Sequence, residues 1–149
     1  MKNPYIYIAG PFFNDQELFV IDHIKDMIKT YNYQYFSPKD ELMYVPGVTS
    51  PEDILRANMN GLMKTDLLIA VTDGKDPGTM FEAGWAYAKG IPIIYVWLTG
   101  TKEQKFNVML AATGSVVRSY VQLFKALDDI RLTEQFNRKN WSEEAMYYE

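Results

Sequence analysis

Short apolar runs alternate with amphipathic patterns along most of the chain. Two runs, at residues 67–71 and 92–97, are apolar at every position, which is typical of strands buried on both faces of a parallel sheet. Shorter runs predict three further strands, at residues 5–9, 33–36 and 116–117. Apolar positions with the helical period, together with capping residues, predict helices at residues 16–31, 51–64, 79–89, 107–112 and 120–130.

The order of these elements determines the fold class. Strands that alternate with helices imply right-handed crossovers, so we expect an α/β fold. Its sheet should be doubly wound, mostly parallel and five-stranded, with helices on both faces, as in flavodoxin-like or Rossmann-like proteins. The 149 residues fit one domain, residues 1–149. We expect a loop at residues 37–40, an irregular flap over a site at residues 40–50, and a tail from residue 137 that docks through its aromatic side chains.

Charge and composition exclude several classes of function. The net charge is −4 and the lysines are interspersed with acids, so we expect no nucleic-acid surface. No apolar run approaches a membrane span, and the N-terminus lacks the apolar core of a signal peptide, so we expect a cytoplasmic protein. There is no cysteine, and His23 is the only histidine, which excludes thiolate chemistry and disfavours a Ser-His-Asp triad. The sequence predicts no metal site and no cofactor.

Aromatic side chains are frequent, at 15% of the chain with 11 Tyr and 8 Phe. A core rich in aromatic rings and a subunit interface would account for most of them. Some could instead stack on a planar ligand such as a nucleobase. The composition alone leaves both explanations open.

Two segments should meet at the site of this fold, because ligands of doubly wound sheets bind beyond the carboxyl ends of the strands. These segments are residues 9–15 and 72–82. In the second, Gly78 allows close backbone approach and Thr79 can cap the following helix. Glu82 would then lie in the first turn, where the helix dipole favours an ionised carboxylate. A structural alternative is that Glu82 only completes a capping box with Thr79.

Four segments of the chain resemble motifs of the nucleoside 2-deoxyribosyltransferase family. The central motif has an aspartate, a glycine and a glutamate six residues after the aspartate, followed by a helix of small residues. The matching positions are Asp76, Gly78, Glu82, Gly84 and Ala86; Tyr7, 9–11 and Phe13; Arg56, Asn58, Met63 and Asp66; and residues 106–110. The resemblance spans residues 5–112 and implies transfer of 2-deoxyribose between nucleobases in nucleoside salvage.

The resemblance implies catalytic roles for three residues. Glu82 would be the nucleophile that forms a covalent deoxyribosyl intermediate, and two inversions would give retention. A free glutamate has a pKa of about 4.3, so we expect Glu82 to be ionised at neutral pH without an activating base. Tyr7 would orient Glu82, and Asp76 would contact the substrate and assist protonation of the leaving base. The residues alone also allow a core role for Tyr7 and a turn role for Asp76.

The resemblance also implies three substrate contacts within the subunit. Phe13 would stack on the base, and Gly78 would border the substrate. Asn58 would contact the base, and because some family members have an aspartate there, the preference for purines or pyrimidines stays open. Without the resemblance, Phe13 is expected in the core.

Further contacts are implied at or between subunits. Asn107 would bind the 5′-hydroxyl of the sugar in a neighbouring site, Met109 would line the pocket, and the protein would therefore be a homo-oligomer. Tyr148, close to the C-terminus, would enter the site. The residues alone also allow Asn107 to be a helix cap and Met109 to be a core residue.

Two rival functions share the expected fold. One is a deoxynucleoside 5′-monophosphate N-glycosidase, which hydrolyses its substrate. Such relatives need small hydroxyl and basic residues after the first strand to hold the phosphate, whereas this chain has aromatic and acidic residues at positions 11–15. The other rival is a non-catalytic nucleotide-binding module. We therefore expect transfer between free deoxynucleosides and nucleobases.

Overall fold

A five-stranded parallel sheet forms the centre of the molecule in the computed structural model. The structure describes residues 1–100 and 104–141, and the backbone of residues 147 and 148. The strands are β1 Ile6–Ala9, β2 Tyr35–Phe36, β3 Leu67–Val71, β4 Ile93–Val96, β5 Phe106–Asn107, β6 Ser115–Val117 and β7 Tyr147–Tyr148. The sheet has the order β2-β1-β3-β4-β6, and β5 pairs with β7 separately. All pairs in the main sheet are parallel, which confirms the predicted fold class.

Helices cover both faces of this sheet. They are α1 Asp15–Thr30, α2 Pro38–Glu41, α3 Pro51–Leu62, α4 Pro77–Ala88, α5 Val108–Thr113 and α6 Tyr120–Thr133. Side chains of a strand point alternately to the two faces. Ile6 and Ile8 therefore pack in one core with α1 and α6, whereas Tyr7 and Ala9 pack in the other with α3, α4 and α5. Within the described ranges, no helix is long and apolar enough to cross a bilayer.

The prediction of a loop at residues 37–40 is wrong, because α2 begins there. Pro38 occupies the first turn of α2, where its missing N–H group is tolerated. The ammonium group of Lys25, buried on α1, lies 2.8 Å from Asp40 Oδ2 and fixes this short helix. Lys25 and Asp40 are 15 residues apart, so their contact cannot be recognised from a local sequence pattern. Residues 42–50 are irregular, as predicted.

The C-terminal tail docks, as predicted. Asn140 forms a parallel bridge with Val116 at the edge of the main sheet. Farther along, the backbone of β7 pairs with β5, with Tyr148 opposite Asn107. The tail thereby borders the segment that carries Asn107 and α5.

Candidate active site

A tyrosine of the central sheet and a glutamate of α4 form the core of the site. Tyr7 lies in β1 and is fully buried, and its hydroxyl group donates a hydrogen bond to Glu82 Oε2. The helix packs closely on the sheet because Thr79, Ala83 and Ala86 face it and are small. This close packing holds Glu82 above β1, near the carboxyl end of the strand where a doubly wound fold binds its ligands.

Asp76, and not Thr79, caps α4, so the predicted start of this helix is wrong. The Asp76 Oδ2 atom accepts hydrogen bonds from the backbone N–H and the hydroxyl group of Thr79, both at 2.9 Å. Pro77 fits the first helical position without loss of a hydrogen bond. Glu82 consequently lies in the second turn, and no capping box links it to Thr79. Its carboxylate is used for the contact with Tyr7 instead.

The ionisation of Glu82 differs from the expected value. Burial raises the pKa of Glu82 from 4.5 to about 7; the hydrogen bond from Tyr7 opposes this, and the charge of Asp76 adds to it. The prediction of a fully ionised carboxylate at neutral pH is therefore wrong. Burial and the charge of Glu82 raise the pKa of Tyr7, so its hydroxyl group remains a donor. A carboxyl group that titrates near neutrality is a recognised property of catalytic sites.

Gly78 and Asn58 have different surroundings. A Cβ atom at Gly78 would lie 3.3 Å from Asp76 Oδ2, so the glycine leaves that carboxylate accessible. Asn58 is half-buried on α3, and its Oδ1 atom is buried without a hydrogen-bond partner in the described part of the chain. A buried acceptor without a partner is costly, so a group that donates to Asn58 would gain from binding there.

Phe13 and Met109 are on the surface, and neither packs in the core. Phe13 is 73% exposed beyond the carboxyl end of β1, and Met109 is 74% exposed on α5. Asn107 caps α5, with its Oδ1 atom 3.1 Å from the N–H group of Leu110. The helix-cap alternative for Asn107 is thus realised through its Oδ1 atom.

Asn107 borders a cavity on the other flank of α4. This cavity has a volume of about 280 Å³ and is lined by Thr72, Lys75, Met80, Trp97, Lys105, Phe106, Asn107 and Leu110. Met80 and Glu82 are two residues apart, which turns them about 200° from each other around the helix. Within one chain, Asn107 is therefore not brought to the Tyr7–Glu82 pair. The side chain of Tyr148 lies outside the described part of the structure.

Two supporting residues were missed by the sequence analysis. Phe36 stacks on the ring of Tyr7, with centroids 5.0 Å apart and planes 16° apart. A Cβ atom at Gly61 would lie only 2.7 Å from three carbon atoms of the Phe36 ring. An isolated glycine within the helical pattern of α3 was the available signal, because such a glycine often marks a close contact.

The sequence places this site in a known family. A profile described as nucleoside 2-deoxyribosyltransferase matches residues 6–120, most of the chain. The chain belongs to the nucleoside 2-deoxyribosyltransferase family. No curated protein matches it significantly in sequence.

Solved structures show the same fold as this member of the nucleoside 2-deoxyribosyltransferase family. A conserved protein from Enterococcus faecalis V583 has 23% identity and a TM-score of 0.70, over 87% of this chain and 99% of the other. A 2-deoxyribosyltransferase from Bacillus psychrosaccharolyticus has 21% identity and a TM-score of 0.68, over 91% and 98%. A CMP N-glycosidase from Clostridium botulinum has 18% identity and a TM-score of 0.58, over 83% and 97%. Since these identities are low, the similarity shows a common fold, which hosts both transfer and hydrolysis.

Proposed function

We propose that the protein is a nucleoside 2-deoxyribosyltransferase that moves 2-deoxyribose between nucleobases, with Glu82 as the covalent nucleophile. The observation that carries the proposal is the half-buried Glu82 carboxylate, which accepts a hydrogen bond from the hydroxyl group of Tyr7. A carboxylate on an anomeric carbon stabilises the positive charge that develops when a glycosidic bond breaks. The family membership directs this chemistry to the N-glycosidic bond of a 2′-deoxynucleoside.

The reaction has two steps at the anomeric carbon. The carboxylate of Glu82 attacks C1′, the C1′–N bond breaks, and its electron pair goes to the leaving base. That base takes up a proton, delivered from solvent through the carboxyl group of Asp76. A nitrogen of the second base then attacks C1′, releases its own proton, and returns Glu82 as a carboxylate. The two inversions regenerate the original configuration.

The buried position of Glu82 suits this chemistry. A partly desolvated carboxylate interacts more strongly with an oxocarbenium-like sugar than a carboxylate in water does. The hydroxyl group of Tyr7 leaves one oxygen of Glu82 for the sugar and fixes the carboxylate plane. We assign Phe13, Asn58, Gly78 and Tyr148 to the substrate, with Phe13 stacked on the base and the unpartnered Asn58 Oδ1 available to a base N–H group.

A second copy of the chain completes the site in this proposal. Asn107 and Met109 lie away from Glu82 of their own chain, and Met109 is mostly exposed. We propose that both reach the site of a neighbour, where the amide of Asn107 binds the 5′-hydroxyl group. Exposed apolar side chains such as Met109 are common where subunits meet.

Free nucleosides are favoured over nucleotides by the segment after β1. The side chain of Asn14 accepts the Glu17 N–H group at 2.8 Å, and the Glu17 carboxylate accepts the Phe13 N–H group at 3.0 Å. These two N–H groups are among the backbone donors near the start of α1 that a phosphate could use. They are already bonded, and the carboxylate would repel a phosphate. The hydrolysis of nucleoside monophosphates is therefore the less supported function.

Base exchange tests the proposal directly. We expect the protein, mixed with 2′-deoxyinosine and adenine, to form deoxyadenosine, detected by chromatography. Glu82→Ala should abolish this product, whereas Glu52→Ala, which removes an exposed glutamate of α3, should not. Hypoxanthine and free sugar without deoxyadenosine would indicate a hydrolase. Nucleoside binding without any product, retained in Glu82→Ala, would indicate a binding module.

A further inference from the structure

A stack of three residues leads from α3 to the catalytic pair. Gly61 of α3 is buried against the Phe36 ring, and that ring lies nearly parallel to the Tyr7 ring. The hydroxyl group of Tyr7 then reaches Glu82. We propose that Phe36 and Gly61 are positioning residues that hold the Tyr7 ring where its hydroxyl group meets Glu82. This inference rests on the proposed role of Glu82.

The Tyr7 ring needs such a support because only part of it is fixed by its own strand. The backbone of β1 is fixed by ladders to β2 and β3. The ring itself can still turn about two side-chain bonds unless neighbouring atoms prevent it. Phe36 pairs with Tyr7 in register across the β1–β2 ladder and covers one face of its ring. The contact is therefore set by the sheet itself.

Gly61 determines how deeply the Phe36 ring can sit. Helix α3 approaches this ring so closely that no side chain fits between them, since a Cβ atom would lie 2.7 Å from the ring. A ring pushed outward by a methyl group must move toward Tyr7 or tilt, because the interior is closely packed. Glycine is thus required at position 61 because it has no side chain. In this proposal Gly61 acts on Glu82 only through the two rings.

Two substitutions disturb the stack in opposite ways. Phe36→Leu removes the ring that covers Tyr7, and Gly61→Ala pushes that ring. Both should weaken the hydrogen bond from Tyr7, which opposes the effect of burial on Glu82. We expect the pH midpoint of kcat/KM to rise by about one unit in each variant, so that kcat/KM measured at pH 6 falls about tenfold. Gly61→Ala should add little in the Phe36→Leu background, because the ring it displaces is gone.

Gly84→Ala is the matched control. Gly84 is also a helical glycine, but a Cβ atom there would meet nothing within 4 Å. The pH midpoint of kcat/KM in Gly84→Ala should equal that of the wild type. Circular dichroism checks that every variant is folded. An unchanged pH midpoint of kcat/KM in folded Phe36→Leu or in folded Gly61→Ala would overturn the inference. Additive effects in the double variant would overturn it as well.

A second measurement separates this inference from the proposed function. The carboxyl carbon of Glu82, in protein labelled with ¹³C-glutamate and assigned with Glu82→Gln, can be titrated by NMR without turnover. The midpoint should rise in Phe36→Leu and in Gly61→Ala, and stay constant in Gly84→Ala. If the wild type shows no base exchange, the proposed function fails, but the titration still decides whether the stack positions the pair. Equal titration curves in the wild type and in all variants would refute the inference that Phe36 and Gly61 position Tyr7.

Discussion

At the scale of single residues, the ionisation of Glu82 determines how the protein should respond to pH. Its pKa of about 7 means that roughly half of the free protein holds a proton on Glu82 at neutral pH. In the proposed reaction, only the ionised form of Glu82 can attack C1′. We therefore expect kcat/KM to rise with pH up to a plateau above about pH 8, with a midpoint near 7. Initial rates of base exchange from pH 5 to 9 check this, and a profile flat across that range would contradict it.

Tyr7→Phe isolates the hydroxyl group from the ring. The variant keeps the contact with Phe36 and loses the donor that opposes the effect of burial on the pKa of Glu82. A hydrogen bond to a charged group contributes about 1.5–3 kcal/mol. We expect kcat/KM at pH 7 to fall by about 10- to 100-fold and the midpoint of its pH profile to rise. Tyr35→Phe, which removes a hydroxyl group from the neighbouring strand, should leave both unchanged, and equal profiles for the two variants would contradict the role of Tyr7.

The same carboxyl group links stability to pH. The folded-state pKa of Glu82 is raised from 4.5 to about 7, so the folded protein binds its proton more tightly than the unfolded chain does. This contribution to stability is complete below about pH 4.5 and is lost as the pH rises through 7, at a cost of up to about 3 kcal/mol. Glu82→Gln cannot ionise at position 82. We therefore expect the free energy of unfolding of Glu82→Gln, minus that of the wild type, to be larger at pH 8.5 than at pH 4.5. Urea unfolding at both pH values measures these free energies, and Glu52→Gln serves as the control. If the difference between Glu82→Gln and the wild type does not change with pH, the prediction is wrong.

At the scale of elements, the five strands of the main sheet were predictable because their patterns are local, whereas β5 and β7 were not predicted. The continuous apolar run Leu67–Val71 became β3 with the same bounds. The start of α4 was not predictable in the same way, since Asp76 and Thr79 are both good caps and Pro77 decides between them. The short helix α2 depends on the ion pair of Lys25 with Asp40, which no local pattern reveals.

The same distinction applies to the candidate site. The resemblance identified Tyr7 and Glu82, and the structure brings them into contact. The raised pKa of Glu82 could not be predicted, because it depends on how closely α4 packs its carboxyl group against Tyr7 of β1. The pairing of Phe36 with Gly61 was equally hidden, since α3 and β2 meet only in the folded chain.

The tail and α5 form another element-scale unit. The helix has six residues, too few to be stable alone, so its ends need external partners. Arg138 donates to the Ala111 carbonyl oxygen at 2.9 Å, near the C-terminal end of α5, where a cation is favoured. The backbone of Lys139 donates to Ser115 Oγ at 3.0 Å and holds the tail on β6.

We expect Arg138→Ala to loosen α5. Hydrogen exchange of residues 106–113 should accelerate about tenfold, while exchange in β3 stays constant. Arg138→Lys keeps a cationic donor and should restore part of the protection. Lys125→Ala removes an exposed charge from α6 and serves as control. Exchange of residues 106–113 at the wild-type rate in Arg138→Ala would show that α5 does not depend on the tail.

At the scale of the whole molecule, several large apolar side chains lie exposed on α3, at its C-terminal end, and on α4 and α5. They are Leu55, Met63, Phe81, Tyr87, Val108 and Met109. Exposed apolar side chains such as these are common where copies associate. The exposed side of α5 also bears the residues that we assign to a neighbouring site. Association would thus complete the site and bury this surface at once.

Complementation between two inactive proteins tests whether sites are shared. Glu82→Ala lacks the proposed nucleophile, and Asn107→Ser lacks the amide but can still cap α5, because serine is a good capping residue. If Asn107 acts only across the interface, a mixed dimer has one site built entirely from intact residues. Random mixing in equal amounts should then restore about a quarter of the wild-type activity.

The restored activity should appear only as subunits exchange. We would measure base exchange after the two variants are mixed under mild dissociating conditions and returned to buffer, with mass spectrometry of differently labelled subunits to quantify mixed assemblies. Glu82→Ala mixed with Tyr7→Phe is the control. Tyr7 and Glu82 come from the same chain, so no mixed assembly of these variants contains an intact pair, and only Tyr7→Phe keeps Glu82. Activity of that mixture should not exceed the residual activity of Tyr7→Phe alone. Abundant mixed assemblies of Glu82→Ala with Asn107→Ser that remain inactive would mean that Asn107 does not serve the neighbouring site.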